Sequence, residues 1–330
     1  MISLLSYVLA FPQQIVELKR LQLGINPMRG TINEGVITLV DSLKRTVLAI
    51  DVSSMEIVGS FSGFSYPLWA LHVGGRWYVT DYFTGKFQEI DRYGKTIREI
   101  LLGGSPTTFL YVNDVFYICL FSNGTVVGVE RSSFRVVERY PVGIPSTYLF
   151  PLKKGGIAYM CYWKNEGEPD LVYLRRGMME EKKLGLTRPL FYLEGSTGDY
   201  VLDYRYGILV KLTNGGEAWR VNLPDFAYGI SFYGSDIAVS SLLSPVVSVV
   251  DRDGNVRQIE VPHPVLTLEE FGNRLVALSN EGEEIYLIEK DRVVAAVKTG
   301  KYPLKLFKIS EDTFAVLCTD SGELIFYRIL

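Results

Sequence analysis

Short hydrophobic runs and short polar breaks alternate along nearly the whole chain. Residues 68–102 show the texture: LWALHV, RWYVTDY, KFQEID and TIREILL follow one another, separated by Gly-Gly, by a Thr-Gly turn and by a Tyr-Gly break. The same four-run pattern returns as TTFLYV, VFYICLF, TVVGVE and RVVERYPV over 107–142, and as VLTLEEF, RLVALSN, EEIYLIE and RVVAAVK over 265–298. The runs are rich in β-branched and aromatic residues and are bounded by Gly, Asn, Asp or Ser, which is strand-and-turn composition. No stretch sustains a 3.6-residue apolar period, so the pattern predicts strands throughout and no long helix.

The runs are grouped by a second, longer rhythm. A Gly or a short polar spacer followed by Pro recurs at Pro27, Pro67, Pro106, Pro145, Pro189, Pro264 and Pro303, with steps of 40, 39, 39, 44, 75 and 39 residues. The 75-residue step is two periods, with the missing mark in LPDFAYG near Ala227, where Pro224 comes early. Four antiparallel strands in each period of about forty residues is the signature of a β-propeller blade. The fold predicted is all-β: one propeller domain over residues 1–330, with blades starting near 27, 67, 106, 145, 189, 227, 264 and 303. Eight blades is the reading, and seven the alternative if the weak strand in MRGTI fails to form. The last unit ends at Leu330 with only three strands, and IVELKRLQLG (15–24) has the look of a fourth. Residues 13–26 are therefore expected to close the ring by pairing with the C-terminal strand, which leaves no blade edge exposed.

The stretch RWYVTDYFTGKFQEID (76–91) resembles the YVTN repeat of β-propellers, Tyr78-Val79-Thr80 matching its signature with Asp81 where the family has Asn. DRYGKTIREI (91–100) and DRDGNVRQIE (251–260) are similar to segments of NHL and lyase-like propellers. No Gly-His/Trp-Asp signature of the WD40 type is present. These resemblances imply fold and not activity, because propellers host binding modules and enzymes alike.

Bulk composition narrows the function classes. A hydrophobic content of 48% supports a large core, and a net charge of −3 argues against a nucleic-acid partner, which needs concentrated Lys and Arg. Three scattered cysteines, Cys119, Cys161 and Cys318, fit neither a disulfide framework nor a zinc site, so a reduced, cytoplasmic compartment is expected. Few glutamines and cysteines beside many Tyr, Ile and charged residues lean toward a heat-loving source. The apolar segment 1–12, MISLLSYVLAFP, is too short to span a bilayer and lacks a basic lead, so it is expected to pack as a strand or plug rather than to serve as a targeting signal.

In a propeller, the loops joining strand two to three and strand four to the next strand one share a face. On that face the sequence gathers Tyr82, Phe83, Phe121, Tyr162, Trp163, Tyr204 and Tyr206 after second strands, and Tyr66, Arg188, Tyr228, His263 and Tyr302 near the junctions. Its longest loop is WKNEGEPD (163–170). The opposite face carries tight turns such as Gly74-Gly75 and Asn113-Asp114, which read as hairpin tips. Aromatics with Arg on a polar face have the composition of a binding surface, though bulky side chains at strand ends also serve packing between blades. The leading expectation is a non-catalytic binding or scaffold propeller for a protein segment, with a small ligand as the lesser option. The alternative is a hydrolase or lyase at the channel mouth, with or without a divalent cation held by Asp41, Asp81 and Asp203. Those aspartates read first as backbone acceptors that fix their loops. His263, flanked by two prolines, reads as a junction residue, His72 as structural, and the three cysteines as core. The run RRGMMEEKK (175–183) reads as a solvated edge strand. GxGxxG, P-loop and HExxH motifs are absent, and no cofactor is expected.

Overall fold

Every blade is assembled from the local hairpins that the runs predict. In the computed structural model, which describes residues 14–330 except 215, the chain forms eight four-stranded antiparallel sheets arranged as a closed propeller. The apolar segment 1–12 lies outside the described residues. The sheets of blades one to seven run in sequence order from the channel outward, as in Pro67–Val73, Arg76–Asp81, Lys86–Ile90 and Thr96–Leu101. The innermost strands are Arg29–Asn33, Pro67–Val73, Pro106–Val112, Leu149–Pro151, Pro189–Glu194, Ala227–Tyr233, Thr267–Phe271 and Pro303–Lys308. The fourth is short because it starts late, at Leu149, and pairs only through Pro151, opposite Ile157, before the chain turns. MRGTI does build a first strand, so the count is eight. Among the described residues no helix is long and apolar enough to cross a membrane.

Ring closure follows the sequence expectation. Ile15–Gln22 pairs antiparallel with Glu323–Ile329, Ile15 facing Ile329 and Gln22 facing Glu323. Blade eight is thereby completed by the start of the described chain.

Burial follows the layers. Second and third strands, such as Val36–Asp41 and Glu323–Ile329, are almost wholly buried because both of their faces meet neighbouring blades. Fourth strands alternate or stand exposed. Met178–Lys182, inside the charge-rich run, is the outer edge of blade four. Between blades the core consists of side chains from facing sheets. Tyr78, Phe87, Phe116 and Phe134 pack together between blades two and three, with Phe87 stacked on Phe134 at 5.4 Å and edge-on to Phe116 at 5.2 Å.

Two irregularities recur for physical reasons. The pairing of strands three and four slips at Ala49/Ile50, Glu89/Ile90, Gly128/Val129, Lys211/Leu212 and Leu287/Ile288. Such bulges increase twist, which the outer strand of a blade requires. Strands one and two slip directly after the junction proline, at Pro67/Trp69, Pro106/Phe109, Pro189/Phe191 and Pro303/Lys305. The same slip occurs at Ala227/Ile230, where no proline stands, so it belongs to the strand start, a place that tolerates proline and its missing N–H.

Candidate channel-mouth binding face

The face that carries the aromatics is built by a backbone clasp. Tyr82 N donates to Tyr66 O at 3.0 Å, Tyr204 N to Arg188 O at 2.9 Å and Thr319 N to Tyr302 O at 3.1 Å, so each second-strand turn grips the junction that enters its blade. Leu102 N to Gly85 O and Leu223 N to Gly207 O, at 2.8 and 2.9 Å, grip the junction that leaves. Both loop classes therefore lie together.

The strand-end aspartates reinforce this clasp. Asp41 accepts from the amides of Asn26 and Lys44, at 3.0 and 2.8 Å. Asp81 accepts from Ser65, Tyr66 and Thr84, and Asp203 from Thr187, Arg188 and Tyr206, at 2.6–3.3 Å. All three are buried. Their oxygens hold backbone, as the structural reading of the sequence expected, and among the described residues no group of His, Cys, Asp and Glu is arranged to hold a metal ion. Blade four obtains the same clasp differently. Asp170, at the end of the long loop, accepts from the amides of Leu184, Gly185 and Leu186 and pairs with Lys164 Nζ at 2.8 Å. The side chains of Lys164 and Asp170 are 6% and 0% exposed.

Above this clasp the aromatics form three groups. Tyr66 lies 4.8 Å from Phe83 and 6.3 Å from Tyr82 by ring centroids. Tyr148, Tyr162 and Trp163 form a chain at 5.3 and 5.0 Å, with the Arg188 guanidinium 5.2 Å from the Trp163 ring and donating to Tyr162 O at 3.1 Å. Tyr204 meets Phe226 and Tyr228 at 5.5 and 6.2 Å, and Tyr228 meets Phe191 at 5.6 Å. Edge-to-face packing of this kind fixes the rings without covering them. Phe83 is 70% exposed, Trp163 53%, Tyr206 47% and Tyr302 43%, whereas Tyr66, Tyr82, Tyr162, Arg188, Tyr204 and Tyr228 are half-buried. The face also has a concave part. A cavity of about 430 Å³ lies between the blade-four loop and the following junction, lined by Asn165, Glu166, Gly185, Leu186, Thr187 and Arg188.

Some predicted residues stay outside these groups. Phe121 is half-buried in a short turn, Phe121–Asn123, without an aromatic partner among the described residues. Tyr206 lies under Arg205, whose guanidinium is 5.4 Å from its ring. His263 leans on Gly282, where an added Cβ would come within 2.6 Å of its ring. Tyr302 borders a separate cavity of about 250 Å³ with Leu242, Leu266 and Asn280. The three cysteines are free and buried, and burial pushes the Cys119 and Cys161 thiols up to about 12 and that of Cys318 to about 11.

Two residues of the mouth escaped the sequence reading. The Tyr148 hydroxyl is pushed up to about 12, first by burial and then by the neighbouring Tyr228, Tyr162 and Tyr204. Arg29, half-buried, has a lowered pKa because burial outweighs the favourable influence of Tyr66 and Tyr148. A signal for Arg29 was present: it stands two residues after Pro27, in phase with Trp69, Thr108, Phe191 and Lys305 after their own prolines. Tyr148 carries no such phase, because blade four starts its first strand late, at Leu149.

No protein-family model and no curated protein sequence matches the chain. Solved structures do match, at low identity. BamB from Moraxella catarrhalis is 11% identical and superposes with a TM-score of 0.73 over 95% of this chain and 99% of its own. The computationally designed protein Ika8 is 9% identical, with a TM-score of 0.75 over 95% of this chain and 98% of its own. A catalytically inactive virginiamycin B lyase from Staphylococcus aureus, solved with quinupristin, is 10% identical, with a TM-score of 0.57 over 96% of this chain and 99% of its own. Identities this low establish the fold alone.

Proposed function

We propose that this chain is a non-catalytic binding propeller whose aromatic loop face holds a segment of a protein partner. The observation that carries the reading is the accessible, pre-packed aromatic array: Trp163 and Phe83 stand open to solvent while Tyr66, Tyr162 and Arg188 brace them. Rigid aromatics lose little conformational entropy on binding, and Trp, Tyr and Arg dominate interface energetics. The 430 Å³ cavity beside Arg188 offers the array a recess for one side chain of the partner. The three free thiols favour a reducing, cytoplasmic setting. The likeness of Tyr78-Val79-Thr80 to the YVTN repeat agrees with the fold and adds no activity.

The second reading, a lyase or hydrolase at the mouth, draws on the fold shared with virginiamycin B lyase. It needs an acid–base group within reach of a substrate. Asp81 and Asp203 are each engaged by three backbone amides, and His263 is packed against Gly282. A partner captured in stoichiometric amount by the native protein should be lost by Trp163→Ala combined with Tyr204→Ala, each costing about 2 kcal/mol or more. Equal capture by the doubly substituted protein, folded as judged by circular dichroism, would overturn the binding-face reading.

A further inference from the structure

In every blade except the fourth, four residues join the second strand to the third, on the mouth face. At the second of those four, blades one, two and six place Leu43, Phe83 and Leu243, all exposed, and the longer loop of blade four presents Trp163. Blades three and five carry Ser122 and Arg205 there. Blades seven and eight carry exposed acids, Glu281 and Asp320. Blade seven also ends its second strand differently. Blades one, two and five use a buried aspartate whose oxygens hold backbone amides. In blade seven Ser279 stands in that place, its hydroxyl donating to Pro264 O at 2.8 Å and accepting from Gly282 N at 3.0 Å. The turn is closed without a carboxylate. Among the described residues Glu281 accepts no hydrogen bond and joins no ion pair; Lys298 of the same blade is held instead by Glu284 and by the Gly282 carbonyl, both at 3.0 Å.

Glu281 lines the cavity of about 250 Å³ that Tyr302 borders, and the remaining walls are Leu242, Pro264, Leu266, Leu304 and Asn280. Three blades meet there, and backbone bonds hold their contributions in place. Leu242 N donates to Phe226 O at 3.0 Å, Asn280 Nδ2 to Pro303 O at 3.1 Å and Thr319 N to Tyr302 O at 3.1 Å. Leu242, Pro264, Leu266 and Leu304 stay half-buried, so apolar surface remains open inside a preformed recess. Lysine and arginine have the matching form: an apolar stem that packs on such walls and a cationic end that stays with a carboxylate. A tyrosine at the same site adds the attraction of its ring for a cation. An acidic side chain is repelled by Glu281, and a purely aliphatic one fills the walls without using the carboxylate. Lys301, beside Tyr302 in sequence, is exposed and lies outside the lining.

We propose that this recess receives a lysine or arginine side chain of the partner segment, with Glu281 pairing to its cationic end and Tyr302 flanking it. The proposal rests on the binding-face reading for the partner, but it is tested without one. The full chain is titrated by calorimetry with Nα-acetyl-arginine amide and Nα-acetyl-lysine amide, and with the citrulline and norleucine amides, which keep the stem and lose the charge. Saturable binding of the cations is expected, the tighter one naming the side chain, with the neutral analogues weaker by roughly fivefold or more. Added salt should weaken the cations and leave the neutral amides unaffected. Glu281→Gln should weaken the cations by about the same fivefold and remove their salt dependence. Asp320→Asn takes away the acid of the same phase outside the lining and should leave the affinity as it was. No saturable binding, equal affinity for arginine and citrulline amides, wild-type affinity in Glu281→Gln, or an equal loss in Asp320→Asn would overturn the recess. Partner capture is read on the Trp163→Ala, Tyr204→Ala protein and cation binding on Glu281→Gln, so the binding-face reading and the recess fail separately.

Discussion

Asp170 is the most heavily used carboxylate of the mouth, holding three amides and the buried Lys164 ammonium together. Asp170→Asn keeps the size and removes the charge, leaving Lys164 buried beside a neutral group. A loss of about 3–5 kcal/mol is expected, measured by urea unfolding. Lys305 makes the opposite case. Burial lowers its pKa from the ordinary 10.5 to about 8, so the unfolded chain binds the extra proton between those values. The stability linked to this group is therefore full above pH 10.5 and is lost as pH falls to about 8. Lys305→Met should stabilise the protein at pH 7 by up to about 3 kcal/mol, less the lost bond to Gly30 O, and the gain should vanish above pH 10.5. Unfolding curves of both proteins at the two pH values check this. Neither residue drew notice in the sequence. Asp170 sits at the end of a loop whose length drew attention instead, and Lys305 looks like any strand lysine until its phase relative to Pro303 is compared with that of Arg29 and Trp69. Tyr66, Trp163 and Arg188 were legible, because the two loop classes can be assigned to one face from strand order alone.

At the level of elements, the junction proline carries more information than its role as a repeat mark suggests. It stands where the first ladder slips in any case, as at Ala227, and the slip that follows lies next to Trp69, Phe191 and Lys305. The strand runs themselves were readable because half-buried and fully buried strands leave different patterns of alternation. The late starts at Leu149 and Thr267 were not, since they depend on how each junction is clasped rather than on the apolar pattern. The closing strand can be tested directly. Ile15 is 1% exposed in the core between blades seven and eight, and Ile15–Gln22 covers the edge of Glu323–Ile329. Deleting residues 1–22 should expose that edge and convert a monodisperse species into dimers or aggregates on size-exclusion chromatography with light scattering. An unchanged elution profile and melting midpoint would show that the ring does not depend on the strand.

At the scale of the molecule, the eight blades share one plan and differ in what they carry at the mouth. Blades four to six hold the packed aromatics around Tyr148, Trp163 and Tyr204, while blades eight and one hold the cations Lys305 and Arg29. A designed propeller superposes on this chain as well as natural ones do, which separates the frame from what is mounted on it. The closing strand also has a consequence for how the ring comes into being. All the other sheet pairings join neighbouring segments and can form within microseconds of being available, but Ile15 must wait for Ile329. A ribosome delivers Ile329 long after Ile15, with seven whole blades between them in the chain, so those blades exist for a time as an open arc. The hazard of strand exchange with another copy is concentrated in that interval, and the rate of synthesis, more than native stability, sets how long it lasts.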